Sequence, residues 1–449
     1  MMNRSPFFWI YNLCSVLALP PLLGVALSHL LRRPGDWQGA EQRLGFIPKS
    51  ISGGMKGRPR IWMHAVSVGE LQVAASLSKA LMRRFPTASL LVSSTTPDGY
   101  RQSRGVLPRN VQVAYYPLDY APCVMGALKR VRPDMYIALE TEIWPNFLEM
   151  ARSLGTTTIL ANGRISVRSM KRYLALRPFF RRVLGSFDLC LTIAEIDASR
   201  IRALGVPSNR VRVTGNAKYD MLAERVEQSN TEALTSRLDV RPGSALLVFG
   251  SVRGPEIAPL IAALKRLLSK RSDVLAVPAP RHLKRVRAMA RALQANGLGF
   301  QYWTRIRSGR ERRTERVVIL DTMGELLDFY GAADVVFCGA SLVPLGGQNV
   351  MEPAAWGKRP LYGPHTEDFE DAVRRLESFG GGLRVENAGD LMSRIEELLD
   401  DPEKRAAGDK KARLAFQSFT GGADRAAEAI FQLWNTSRAR ERGRLGPAR

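Results

Sequence analysis

The sequence predicts an α/β protein of two successive Rossmann-like domains behind an N-terminal membrane anchor. Three observations predict it. After residue 32, short apolar strand-like runs alternate with helix-like runs, the pattern of a mainly parallel, doubly wound sheet. The alternation pauses once, over the more polar stretch Met221 to Arg241, and then resumes. Ahead of it, Phe7 to Leu31 is a nearly uncharged apolar stretch of about 25 residues, long enough to cross a bilayer.

Arg32 and Arg33 follow the apolar stretch at once, whereas Arg4 alone precedes it. The positive-inside bias then places the rest of the chain in the cytoplasm. A cleaved signal peptide is the rival reading. The length, the missing basic leader and the missing A-x-A site count against it. Pro20-Pro21 keeps a shallow, monotopic insertion open beside a full span.

The first series of strands is expected at 61–66, 89–95, 111–116, 135–141, 156–162, 188–194 and 211–215. The second is expected at 245–251, 273–278, 316–321, 334–339, 359–363 and 382–386, followed by mostly helical sequence over 390–435. Ser437 to Arg449 is rich in Arg, Gly and Pro and reads as a basic, disordered tail. The domain expectation is therefore 1–33 anchor, 34–225 first domain, 226–436 second domain and 437–449 tail. Two such domains hold ligands at the carboxyl ends of their strands, facing each other across a cleft.

Neither GxGxxG nor GxxxxGK[ST] follows a candidate strand, which argues against a dehydrogenase and a P-loop kinase. By fold analogy, what is left points to a two-domain glycosyltransferase. Charged residues at 24% and hydrophobic residues at 45% of 449 residues are ordinary, but a net charge of +24 is not. Such a surface favours polyanions; with no nucleic-acid motif, the expected partners are an anionic membrane surface or a phosphorylated ligand, not nucleic acid. Cys14, Cys123, Cys190 and Cys338, and the four histidines, are scattered. That spacing offers neither a disulfide framework nor a metal site, so no metal and no cofactor are expected.

The chemistry-bearing residues cluster at strand ends. Ile61 to Val66 is a buried strand, Ser67 and Gly69 form a turn, and Glu70 stands where the helix Leu71 to Phe85 begins. A carboxylate there can take a proton from a hydroxyl, or can simply complement a helix dipole. Glu140 and Glu142 come just past the strand 135–141. Were the strand to continue, they would point to opposite sides, which favours Glu140 alone in the cleft. Arg164, after Asn162-Gly163, can bind a carboxylate or phosphate, and Lys218 lies in a similar cluster before the polar stretch. In the second series, Gly250-Ser251 and Arg253 close the first strand, and Pro280-Arg281-His282 closes the next, with Arg281 suited to clamp an anion. Met323-Gly324-Glu325 marks a strand-to-helix junction whose N–H groups can hold a phosphate. A glycine-rich loop then runs through Asn349, Val350, Met351 and Glu352, with an amide and a carboxylate suited to ribose hydroxyls.

These runs resemble the 3-deoxy-D-manno-octulosonic acid (Kdo) transferases of lipopolysaccharide assembly. The matching stretches are HAVSVGE at 64–70, ALETEIWPN at 138–146, NGRIS at 162–166, GNAKYD at 215–220, PRH at 280–282, DTMGEL at 321–326, the GGQNVME region at 346–352 and GPHTEDF at 363–369. The resemblance spans nearly the whole chain after residue 32. It implies a GT-B fold and an inverting transfer of Kdo from CMP-Kdo to the lipid A precursor, lipid IVA, at the cytoplasmic face of the cell inner membrane. It further implies that Glu70 is the general base. CMP-contacting positions would fall on Pro280 and Arg281, on Met323, Gly324 and Glu325, and on Asn349, Val350, Met351 and Glu352. Ser67, Gly69, Glu140, Arg164, Lys218, Ser251 and His282 are supporting candidates, and Arg168, Lys171 and Arg172 are expected to help receive the anionic acceptor.

The chain departs from the family pattern in two places. Gln348, Val350 and Met351 stand where His, Pro and Leu are expected, and Gly250-Ser251-Val252-Arg253 is unusual at its position. A GT-B transferase of another activated sugar, and a membrane-tethered nucleotide-sugar-binding protein without catalysis, are the competing expectations.

Overall fold

The computed structural model describes residues 9–13, 15, 17 and 39–444. They form two compact units, Met1–Met221 with Gly421–Arg449, and Leu222–Thr420. The apolar segment expected to anchor the chain lies mostly outside the described residues. Among the described residues, no helix is long and apolar enough to cross a membrane.

The first unit carries seven strands: β1 (Arg60–His64), β2 (Ser89–Ser94), β3 (Gln112–Tyr115), β4 (Met135–Leu139), β5 (Thr157–Gly163), β6 (Leu189–Thr192) and β7 (Val211–Val213). Their order is β3-β2-β1-β4-β5-β6-β7, with every pairing parallel. Strand alternation splits the side chains between two cores. Ile61 and Met63 pack on one side with the helix Val68–Arg84, whereas Trp62 packs on the other against Phe147. Both faces are covered, which is why these strands read as continuous apolar runs.

The second unit carries β8 (Ala245–Val252), β9 (Val274–Pro280), β10 (Gln301–Tyr302), β11 (Val318–Ile319), β12 (Val335–Cys338), β13 (Pro360–Tyr362) and β14 (Leu383–Arg384). Five of them form a parallel sheet of order β14-β13-β12-β8-β9. The strand expected at 316–321 is reduced to β11, which pairs with β10, a strand the sequence pattern did not show.

Three expectations are corrected. The stretch read as a linker is helical, over Lys218–Gln228 and Thr231–Arg237. The helix Gly422–Arg444 does not belong to the second unit, as the expected boundary at 436 would have it. It returns to the first unit because Ala423, Ala426, Ala427 and Ile430 are buried in the core that also holds the helix Val68–Arg84. Phe431 meets Phe85 at 5.2 Å between ring centres, and Asp220 accepts the Ala423 N–H at 2.7 Å. The basic stretch read as disordered continues that helix as far as Arg444.

In each sheet the chain order reverses once, at β1/β4 and at β8/β12. Such switch points open a crevice at the carboxyl ends of the strands. Glu70 opens the helix that follows β1, and Glu140 and Glu142 lie in the loop after β4; Ser251 sits at the end of β8, and the glycine-rich segment follows β12.

Candidate active site: an acid cluster and a basic pocket

Ser67 is the N-cap of Val68–Arg84, and Glu70 is its third residue. The Ser67 hydroxyl accepts the Glu70 N–H at 3.3 Å and donates to Glu70 Oε1 at 2.8 Å, while the Val66 N–H donates to Oε2 at 2.8 Å. The capping geometry is therefore present, and it fixes the rotamer of a carboxylate that is only 7% exposed. Burial pushes its pKa above the ordinary range; Val66 and Ser67 pull it down, Glu140 raises it and Lys218 lowers it.

Glu140 takes φ 53°, so the strand stops at Leu139 and its alternation does not carry on. That corrects the expectation that only one of the two acids faces the cluster. Glu140 pairs with Lys218 at 2.5 Å. Glu142 turns to the same place, where burial, then Glu70, lift its pKa to about 7 against the hydrogen bond from the Trp144 indole. His64 lies 3.9 Å from Glu142 and is fully buried, stacked on Tyr116 at 3.6 Å. Burial pushes its pKa down to about 3, so the ring is neutral. Its Nδ1 faces the Ser93 carbonyl at 3.1 Å, which assigns the proton to Nδ1.

Lys218 is placed by two asparagines. Asn162, at φ 55°, accepts the Ala217 N–H at 3.0 Å, and Asn216 accepts the Lys218 N–H at 3.1 Å. The NGRIS and GNAKYD runs thus set the start of the Lys218–Gln228 helix. Gly69 faces the Lys218 ammonium with room to spare, 3.8 Å from the position of an added Cβ. Arg164 is exposed and forms no hydrogen bond or ion pair with a described residue. Lys171 and Arg172 are exposed on the helix Val167–Ala175; the side chain of Arg168 lies outside the described residues.

The second unit holds a pocket lined by Arg225, Ser251, Pro280, Arg281, Thr322, Met323, Gly324, Gln348, Asn349 and Glu352, with Tyr330 beneath. Its walls follow from the strand ends. β8 and β9 lose register between Phe249 and Val252, and Ser251 bends away at φ 55°. The Arg281 N–H then donates to the Val252 carbonyl at 2.9 Å. Gly324 sits at φ 91°, a left-handed turn that favours glycine. The Asn349 side chain accepts the Met351 N–H at 3.1 Å. Glu352 is half-buried; burial raises its pKa, while Asn349, Arg225 and Arg281 hold it down.

Four expected ligand contacts are not in the pocket wall. Val350 and Met351 are 1% and 0% exposed and belong to the core. Glu325 turns its carboxylate to Trp303 at 3.2 Å and Arg307 at 3.0 Å, which braces the Met323-Gly324 turn from behind. His282 is exposed and outside the lining. Arg253 caps the helix Gly254–Lys270 and also lies outside it.

Glu256 shows what a structural carboxylate looks like in this fold. It follows β8 as Glu70 follows β1, and both are the third residue of a 17-residue helix. Glu256 is fully buried and accepts four backbone N–H groups, from Arg253, Ala340, Ser341 and Leu342, at 2.6 to 3.0 Å. Its lone pairs are spent on the loop after β12. Glu70 accepts one N–H and one hydroxyl, keeps accepting capacity and shares its surroundings with two further acids.

Sequence reasoning missed Glu142, Arg225, Thr322 and Tyr330. Glu142 was set aside by an alternation that the strand does not keep. Arg225 fell in the stretch read as a linker, where the apolar spacing of Leu222 and Val226 was the available sign of a helix.

A family model described as 3-deoxy-D-manno-octulosonic-acid transferase (kdotransferase) matches residues 38–221. The 3-deoxy-D-manno-octulosonic acid transferase of Bordetella pertussis is 30% identical over 431 residues, covering 94% of this chain and 98% of the relative. That of Chlamydia pneumoniae is 28% identical over 428 residues, covering 94% and 95%. Among solved structures, UDP-GlcNAc 2-epimerase from Neisseria meningitidis bound to UDP-GlcNAc aligns with TM-score 0.59 at 13% identity, over 84% of this chain and 100% of that one. The Anabaena protein Alr3699/HepE in complex with UDP aligns with TM-score 0.55 at 14% identity, over 85% and 99%. At those identities the likeness shows the fold alone, the GT-B arrangement of parallel sheets.

Proposed function

This chain belongs to the 3-deoxy-D-manno-octulosonic acid (Kdo) transferase family, and from that premise we propose that it moves Kdo from CMP-Kdo to lipid IVA with inversion, an early step of lipopolysaccharide inner-core assembly. One observation carries the reading. Glu70 is held in a fixed rotamer at the switch point of the first sheet, its pKa raised by burial and by the neighbouring Glu140, with accepting capacity to spare.

In this reading, ionised Glu70 takes the proton of the acceptor hydroxyl as its oxygen attacks the anomeric carbon of Kdo. The bond from that carbon to the CMP phosphate oxygen breaks, and the phosphate leaves with the electron pair. The second unit holds the donor: Arg281 meets the departing phosphate charge, and Asn349 and Glu352 suit the ribose hydroxyls. CMP leaves as a monophosphate, so the departure calls for no pyrophosphate-bound metal.

The membrane part of the proposal rests on the N-terminal apolar segment as anchor, at the cytoplasmic face of the inner membrane. Trp9, Ile10, Leu13 and Leu17 are 58 to 67% exposed. Tyr11 and Asn12, by contrast, bond to Asp119 and Asn146 of the first unit at 2.9 and 3.0 Å. Tyr11 also lies 6.2 Å, ring centre to ring centre, from Phe179, which follows shortly after the basic helix Val167–Ala175; exposed apolar side chains and a basic helix together suit an anionic lipid surface and an anionic glycolipid acceptor.

The test is product analysis by mass spectrometry with purified, detergent-solubilised protein, CMP-Kdo and lipid IVA. Kdo-bearing lipid is the expected product, and its mass gives the number of residues added. Transfer from a UDP-sugar in place of CMP-Kdo would move the assignment to another GT-B activity; binding without transfer would make the chain a nucleotide-sugar-binding protein.

A further inference from the structure

The pocket of the second unit presents two guanidinium groups, Arg225 and Arg281, to one half-buried carboxylate, Glu352. Both arginines line the same pocket as Glu352, and both hold its pKa down against burial, which raises it. Yet neither forms an ion pair or a side-chain hydrogen bond with any described residue. Elsewhere in this unit arginines beside carboxylates do pair, as Arg271 does with Asp273 at 2.9 Å and Arg307 with Glu325 at 3.0 Å. Two uncommitted guanidiniums in one pocket leave a net positive site of two forks around a single acid. A guanidinium fork matches planar and tetrahedral oxyanions better than any other side chain does.

The donor proposed above, on which this inference rests, carries two separate anions: the phosphodiester and the carboxylate of the acidic sugar. Arg281 stands at the end of β9, beside Ser251 at the bend in β8, where such sheets hold phosphates. Arg225 reaches the pocket from a different element, the helix Lys218–Gln228. We infer that Arg225 binds the carboxylate of the donor sugar and makes the pocket selective for acidic over neutral nucleotide sugars.

The test uses the full-length protein in detergent and three probes: CMP, CMP-Kdo and the methyl ester of CMP-Kdo, whose carboxyl group is uncharged. Binding is measured by calorimetry, so that turnover is not needed. Wild type is expected to bind CMP-Kdo more tightly than its ester. In Arg225→Ala that preference should disappear, with CMP-Kdo weakened about 10- to 100-fold, the span of one charge-assisted hydrogen bond. Affinity for CMP alone should change by no more than about 3-fold, well inside that span. Arg225→Lys, which keeps the charge without the fork, should recover part of the preference and serves as the folding control.

Equal weakening of CMP and CMP-Kdo in Arg225→Ala would make Arg225 a phosphate ligand and overturn the assignment. So would an unchanged preference for the acid over the ester. A wild type that transfers Kdo beside either result sinks this inference alone; a wild type that binds neither nucleotide sinks the proposed function with it.

Discussion

Lys218 Nζ lies 2.5 Å from Glu140 Oε1, and through that pair a single ammonium acts on a cluster of three carboxylates. Lys218 lowers the pKa of Glu70 while Glu140 raises it. Glu70 and Glu140 in turn both raise the pKa of Glu142, after burial. The charge state of the proposed base is thus decided by residues from three separate segments of the chain.

Replacing the base tests its role directly. Glu70→Gln keeps an acceptor for the Val66 N–H but cannot take a proton. Transfer should fall about 10²- to 10⁴-fold, the usual contribution of general base catalysis. CMP affinity and melting temperature should stay near wild type. A variant of equal activity would leave Glu70 as a helix cap only.

The pH profile should report the cluster. Glu70 acts in its ionised form, and its pKa is raised, so activity is lost on acidification sooner than for an ordinary glutamate. Lys218→Ala removes the ammonium that favours the charged form. The acidic limb of kcat/KM should then move to higher pH. An unmoved limb would show that Lys218 is not coupled to the base.

Glu142 makes a stability prediction with a definite sign. Its folded-state pKa of about 7 lies above the ordinary 4.5. The folded protein therefore holds that proton more tightly than the unfolded chain. The resulting stability is complete below about pH 4.5 and is lost as pH rises through about 7. Glu142→Gln abolishes this loss and should stabilise the protein by about 1–3 kcal/mol at pH 8, with little change at pH 4. Urea unfolding at the two pH values measures it; equal stabilisation at both would contradict the shift.

Glu256 is the structural counterpart. Glu256→Gln would turn an NH₂ group toward backbone N–H groups of Arg253 or the loop 340–342. Leaving buried donors unmet should cost about 2–4 kcal/mol. The unfolding midpoint should drop, whereas the acidic limb of the pH profile should not move.

Gly250 is required by the pocket floor. An added Cβ would lie 1.8 Å from Tyr330 Oη, and Tyr330 is only 1% exposed. Gly250→Ala should destabilise the protein by about 1–3 kcal/mol, the usual cost of overpacking, and should weaken CMP binding as Tyr330 is displaced. Tyr330→Phe in the same background relieves the oxygen clash and should recover part of the loss in thermal melts.

Much of the fold was legible because its signals are local. Continuous apolar runs mark buried parallel strands, and thirteen were placed from the sequence within a few residues of β1 to β9 and β11 to β14. The two-residue β10 was too short to leave a pattern. Glu70, Arg281, Asn349 and Glu352 could be named as candidates because strand ends are where such sheets bind ligands. Glu142 was not, since the left-handed turn at Glu140 is taken by a residue whose identity does not announce it.

The sequence by itself determined the α/β class, the two sheets, the strand ends that carry chemistry and the family, because these rest on short-range periodicity and contiguous motifs. Only the tertiary structure decided that Lys218 meets Glu140, that Arg225 enters the pocket of the second unit, that Glu325 braces a turn rather than lining the pocket, and that the C-terminal helix closes the core of the first unit. The physical reason is common to all four. Each depends on segments distant in sequence being brought together by burial of apolar faces. Local pattern says which face is buried but not which partner buries it.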